Sequence, residues 1–342
     1  MITFITWLRC FAAILITNAH YSGIYPSDLI ANGGLIGDIV FFAVSGYCLT
    51  ELKTGFSKWY SKRVSRILPT VILISIIYIV FGKYNLSSYA SGTENTILYT
   101  ELSILGIRYP VFLSWFVYPT YYHFVGSILI LYIPYYFILK SESIKKHIPF
   151  VMFLLFMLCI TFYILNYNKT YYHIDNVREP MIRFLFMESM LLGAWFKIND
   201  NIFRNKGNSI IYMVGFLATF IIYFVLKIIF SNGYFVEYQI VNQIVIFILL
   251  FFLMRWFSSI DRFLNRNPIW ISKIINLIAK LTLEIYLVQY VLIDLVKNTE
   301  LFFPINWLIV SLLIIVTAYL LHIFVKFLND KIADMFVKGK NL

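Results

Sequence analysis

The stretch FITWLRCFAAILITNAHY, residues 4–21, decides how the rest of the chain is read. It is apolar over a length sufficient to cross the roughly 30 Å hydrocarbon core of a bilayer. Two ionisable side chains, Arg9 and His20, interrupt it. At 100° per residue their eleven-residue separation brings them within about 20° of one helix face, and at roughly 1.5 Å per residue they stand about 16 Å apart along the axis. Ionisable groups are costly in hydrocarbon and persist where they line a polar cavity or carry out chemistry. A guanidinium and an imidazole aligned on one helix wall suggest an enzyme site reached from one membrane face and working near the other.

Similar apolar stretches recur along the chain. It is 61% hydrophobic and 13% charged, with mean hydropathy +0.79; a soluble domain carries nearer a quarter charged residues. The expected fold is an all-α polytopic membrane protein of about ten transmembrane helices, at 4–22, 34–52, 67–82, 118–139, 148–166, 182–197, 208–230, 238–257, 274–296 and 304–326. Residues 1–330 form one transmembrane domain and 331–342 a short basic cytoplasmic tail. The first segment lacks the basic start and small-residue cleavage site of a signal peptide. Cys10, Cys48 and Cys159 fall within spans and read as small buried apolar side chains, with no disulfide framework and no metal site implied.

The net charge of +11 would suit a nucleic-acid partner, but its distribution reads as topology. With the N-terminus placed in the cytoplasm, nineteen Lys and Arg residues fall on the inner connections and the tail. Five (Lys83, Arg108, Lys169, Arg178 and Lys297) fall on the outer ones. That asymmetry is the positive-inside rule and places both termini in the cytoplasm. Inner loops touching anionic lipid headgroups account for most of the basicity.

Several polar residues are candidates for a site. His20 ends the first span and Asp38 begins the second, so a short hairpin brings both to the outer boundary. A carboxylate beside an imidazole raises its basicity and fixes its tautomer, which suits a general base acting on a hydroxyl. The alternative is an interfacial histidine satisfied by a carbonyl or water. Lys62, Arg63 and Arg66 open the third span on the inner side. Arg63 and Arg66 share a face, and guanidinium groups suit phosphate; positive-inside anchoring explains the same spacing. Trp115, Tyr121 and Tyr122 cluster at an outer boundary as interfacial anchors or sugar-stacking rings. Arg183 with Glu188, and Lys280 with Glu284, read as pairs neutralised within one helix. No P-loop, GxSxG, HExxH or GxGxxG motif is present.

Five segments together resemble the acyltransferase-3 family, polytopic membrane O-acyltransferases that decorate bacterial surface polysaccharides. Leu8-Arg9 through Ala12-Ala13 to His20 is similar to the family's first helix. Gly37-Asp38 through Phe41-Phe42 to Ser45-Gly46-Tyr47 is similar to its second. Lys62-Arg63-Val64-Ser65-Arg66-Ile67-Leu68-Pro69 resembles the start of its third. Trp115-Phe116 with Leu131-Tyr132-Ile133-Pro134, and Glu284-Ile285-Tyr286-Leu287-Val288-Gln289, resemble two later elements. Two departures stand out: Asp38 lies one position earlier than the family pattern, a rotation of about 100°, and Gln289 replaces a late histidine.

The resemblance implies an acyl group, usually acetyl, taken from cytosolic acyl-CoA and delivered to an extracytoplasmic hydroxyl. The acceptor would be a surface polysaccharide or lipid-linked glycan at a bacterial cytoplasmic membrane. It implies His20 and Asp38 as catalytic, Arg9, Arg63 and Arg66 as the acyl-CoA-binding group, Trp115, Tyr121 and Tyr122 on the acceptor side, and no bound cofactor or metal. A transporter or flippase of a lipid-linked sugar is the alternative; such folds commonly show inverted repeats and midplane charges, whereas the charges here lie toward span ends.

Overall fold

The computed structural model describes residues 2–80, 123–166, 173–174, 181–231, 235–297 and 299–338. Trp115, Tyr121 and Tyr122 lie outside the described residues. Among those described there is no strand, and the chain forms α1 (Thr3–Ala19), α2 (Gly34–Leu49), α3 (Phe56–Val80), α4 (His123–Lys140), α5 (Glu142–Lys146), α6 (Ile148–Asn166) and α7 (Met181–Ile198). There follow α8 (Asp200–Phe203), α9 (Ser209–Ser231), α10 (Ile240–Ser259), α11 (Asp261–Leu264), α12 (Ile269–Lys280), α13 (Thr282–Lys297) and α14 (Ile305–Lys338).

Four segments are long and apolar enough to cross a bilayer unaided: Ile148–Leu165, Ser209–Ser231, Val236–Ser259 and Ile305–Lys331. Their apolar faces stay largely exposed, as Phe153 and Leu158 on α6, Ile221 and Ile228 on α9 and Leu312 and Leu320 on α14 show, which is the surface that lipid covers. The helices at Thr3–Ala19, Gly34–Leu49 and Phe124–Lys140 are apolar but shorter. The first two rise about 25 Å and are held inside the bundle. α14 runs unbroken to Lys338, through the boundary expected at 330. At about 51 Å it outreaches the hydrocarbon.

α2 is the hub. Its buried residues, from Leu35 to Val40 and on through Phe42, Val44 and Tyr47, face every direction around the helix, the mark of a helix surrounded by protein. It packs on α1 and α7, and two close approaches set its place. A Cβ on Gly37 would stand 2.8 Å from the Ala12 carbonyl oxygen of α1. A Cβ on Gly193 would stand 1.8 Å from the Ala43 oxygen, and one on Gly46 2.0 Å from the Met190 oxygen. The α2–α7 crossing is therefore backbone against backbone. Phe42 stacks on Phe186 at 4.2 Å and Phe124 of α4 closes on both Phe41 and Phe42.

The end of the bundle that holds the start of α1 is clasped by charge. Asp261 is buried and accepts from the Phe4 backbone N–H at 2.7 Å and from Arg204 Nε at 2.8 Å. Arg204 also meets Asp200 at 3.4 Å, and Asp200 accepts from the Tyr47 hydroxyl at 2.7 Å. The start of α1 is thereby tied to α2, α8 and α11.

The structure corrects three expectations. The span expected at 274–296 is broken at Leu281 into α12 and α13: the Thr282 hydroxyl donates to the Ala279 carbonyl at 3.0 Å, satisfying the end of α12 locally. With the helix broken, Lys280 is exposed and Glu284 does not pair with it. Glu284 Oε1 instead meets His322 Nδ1 of α14 at 2.7 Å. Cys48, expected as a buried apolar side chain, is exposed and accepts from Arg9 Nη2 at 3.4 Å.

Candidate active site

α1 runs from this clasp and ends on His20, whose backbone N–H still donates to the Thr17 carbonyl at 3.1 Å. Beyond it the chain turns through a loop fastened to the helix end. Asn18 Nδ2 donates to the carbonyls of Ile30 (2.8 Å) and Asn32 (3.0 Å), and the Tyr25 hydroxyl donates to Asn18 Oδ1 at 2.7 Å. Lower in the loop Asp28 accepts from the Ser22 hydroxyl and the Gly23 N–H; those bonds hold its carboxyl below the usual carboxylate range.

Under this loop lies a cavity of about 290 Å³ walled by α1, α2, α7, α9 and α13. His20, Asn32, Asp38, Tyr223, Lys227 and Tyr286 supply its polar lining. The His20 imidazole is half-buried. Its Nε2 lies 3.0 Å from the Tyr290 hydroxyl, a hydrogen bond whose direction depends on the tautomer, and the two rings stand 4.4 Å apart. Asp38 is buried and faces the same cavity from α2, held there by the Gly37 contact one residue before it. The carboxylate–imidazole bond expected between Asp38 and His20 is not formed: the group on the imidazole is Tyr290. Lys227 Nζ meets Asn32 Oδ1 at 3.4 Å.

Arg9 lies in the first half of α1, and Arg63 and Arg66 lie on α3. Arg9 sits half-buried beside Cys48, Arg63 lies over the Trp59 ring at 4.6 Å, and Arg66 is exposed. Trp59 in turn packs on the buried Tyr132 of α4, with ring centroids 5.6 Å apart. Tyrosines anchor this corner: the Tyr135 hydroxyl donates to the Gly46 carbonyl at 2.6 Å and that of Tyr136 to the Thr54 carbonyl at 3.0 Å. A wider opening of about 530 Å³, lined by Glu51, Lys140, Lys145 and Lys197 among others, lies between the end of α2, α4 and α7. Those lysines read in the sequence only as topology.

Sequence reasoning missed Tyr290 and Lys227. A lone lysine in the apolar run 209–231 was itself a signal, since an intramembrane charge is by default a functional hypothesis. Tyr290 gave none, being one of 26 tyrosines.

A helical membrane bundle with an imidazole, a buried carboxylate and a lysine lining one polar cavity suits group-transfer chemistry. The chain matches the family profile described as an acyltransferase domain over residues 2–324; it belongs to the acyltransferase-3 family and is a multi-pass membrane acyltransferase. Comparison with curated proteins and with solved structures returned no match.

Proposed function

We propose that the protein takes an acyl group, acetyl in the first instance, from cytosolic acyl-CoA and delivers it to a hydroxyl of an extracytoplasmic glycan or glycolipid at a bacterial cytoplasmic membrane. The observation that carries this reading is the pairing of two sites along one helix. His20 lines a polar cavity at the end of α1 with its Nε2 against the Tyr290 hydroxyl, and Arg9, eleven residues earlier on the same helix, lies beside Cys48. Arg9, Arg63 and Arg66 bind the phosphates of the CoA, and the pantetheine arm lies along α1 toward His20. With Nε2–H donating to the Tyr290 oxygen, Nδ1 is the base. It takes the proton of the acceptor hydroxyl as that oxygen attacks the thioester carbonyl, and returns it to the departing thiolate. Asp38 and Lys227 set the field in which the imidazolium forms. Trp115, Tyr121 and Tyr122 offer stacking faces for sugar rings on the acceptor side, and acyl-CoA is a co-substrate, with no resident cofactor called for.

Transfer from radiolabelled acetyl-CoA into membrane glycans tests the reading. The His20→Ala protein, inserted at parental levels, transfers no label if His20 is the base. Retained transfer removes His20 from the mechanism.

A further inference from the structure

Next to the His20 cavity, and sharing Ile16 and Tyr286 with it, lies a second, much smaller void of about 20 Å³. Ala13 and Thr17 of α1, Phe41 of α2, Phe124 of α4 and Gln289 of α13 complete its key walls. It is enough for one water-sized group. α13 runs alongside α1 in the same direction. Tyr290 meets His20; next to Tyr290 in the chain Gln289 lines the void with Thr17, about one turn earlier Tyr286 lines it with Ile16, and a further turn earlier Thr282 and Leu283 line it with Ala13. The void therefore lies beside the stretch of α1 between Arg9 and His20.

Gln289 is the anomaly in this wall. It is fully buried, at 0% exposure, and neither its Oε1 nor its Nε2 has a hydrogen-bond partner. Buried polar groups almost always find one, and an orphaned amide calls for an explanation. The walls are apolar side chains apart from Thr17, Thr282 and Tyr286, and the amide lines a void the size of a single oxygen atom next to the His20 cavity.

We propose that this void is the subsite for the thioester carbonyl and that Gln289 is its recognition group; the proposal rests on the acyl-CoA reading above. Gln289 Nε2–H donates to the carbonyl oxygen of the bound acyl thioester. As the acceptor hydroxyl oxygen bonds to the carbonyl carbon, the C=O electron pair moves onto that oxygen, where the same N–H holds it, and the hydroxyl proton passes to His20. Collapse of the intermediate re-forms C=O and breaks the C–S bond, and the CoA thiolate leaves with the proton from His20. A neutral donor serves an oxyanion in an apolar wall without adding a buried charge, and no titrating group is required at this position.

The test uses the full-length protein in membranes, radiolabelled acetyl-CoA, and thermal unfolding in detergent. Gln289→Met keeps length and flexibility and removes both polar atoms. Losing one oxyanion donor lowers kcat by about 10²-fold, so kcat for transfer is expected to fall on that order while the KM for acetyl-CoA stays within about threefold. The unfolding midpoint should not drop, since replacing an unpaired buried amide by an apolar side chain is neutral or stabilising. Gln289→His, which retains an N–H donor, should recover at least about tenfold over Gln289→Met. Transfer by Gln289→Met within threefold of the parent overturns the subsite and leaves the acyl-CoA reading standing. A parallel loss of activity and midpoint, unrelieved in Gln289→His, overturns it in favour of packing. A parent that transfers no label overturns both readings.

Discussion

Replacing Tyr290 by Phe removes one atom from the site. The ring that lies 4.4 Å from the imidazole stays, so packing is preserved, and only the hydroxyl 3.0 Å from His20 Nε2 is lost. In the resting enzyme that is a neutral hydrogen bond worth about 0.5–1.5 kcal/mol net. When the imidazole takes the acceptor's proton the same contact becomes charge-assisted, roughly twice as strong. The difference, about 1 kcal/mol, is stabilisation present only once the imidazolium forms, and it corresponds to about a fivefold fall in kcat. The KM for acetyl-CoA should not move, because the arginine end of the site is untouched. Initial rates with radiolabelled acetyl-CoA measure both constants. The His20→Ala/Tyr290→Phe double variant should be no worse than His20→Ala alone, since Tyr290 acts here through His20. An unchanged kcat, or a Tyr290 effect that persists without His20, would refute the reasoning.

Other outcomes follow from the same structure. Arg63→Ala should raise the KM for acetyl-CoA with little change in kcat; equal KM values would return Arg63 to topology alone. Gly193→Ala puts a methyl group 1.8 Å from the Ala43 oxygen, forcing α2 and α7 apart; an overpacking cost of about 1–3 kcal/mol should appear as a lower unfolding midpoint in detergent. Asp261→Ala strips partners from the Phe4 N–H and from Arg204. With Arg204 35% exposed in its side chain, water replaces part of what is lost, and about 2 kcal/mol of destabilisation is expected in the same melt.

The chemistry-bearing helix was legible because its signals are local. Arg9 and His20 share a face by arithmetic alone; in the structure His20 caps the C-terminal end of α1, while Arg9 is its seventh residue. The clustering of Lys62, Arg63 and Arg66 at the start of α3 was equally readable. What escaped depended on partners far away in sequence. Asp38 followed from the hairpin as a neighbour of His20, but the residue that reaches the imidazole is 270 positions later. The break at Leu281, where the Thr282 hydroxyl of α13 bonds back to the Ala279 carbonyl of α12, is invisible to a hydropathy window, and Glu284 beyond it pairs with His322. Cys48 looked apolar by composition, and it is exposed near the C-terminal end of α2 beside Arg9. Gln289 stood out in the sequence as a substitution for a titrating residue, yet only the packing shows that its amide is buried and unpaired.

The central claim is that one helix carries acyl transfer from a donor bound inside to an acceptor outside. Sealed vesicles of known orientation test it most directly, with radiolabelled acetyl-CoA supplied to the cytoplasmic face and label scored on glycan at the opposite face. The account predicts label across the membrane with the parent protein and none with His20→Ala. Label confined to the side where acetyl-CoA was added, or crossing undiminished without His20, would contradict it.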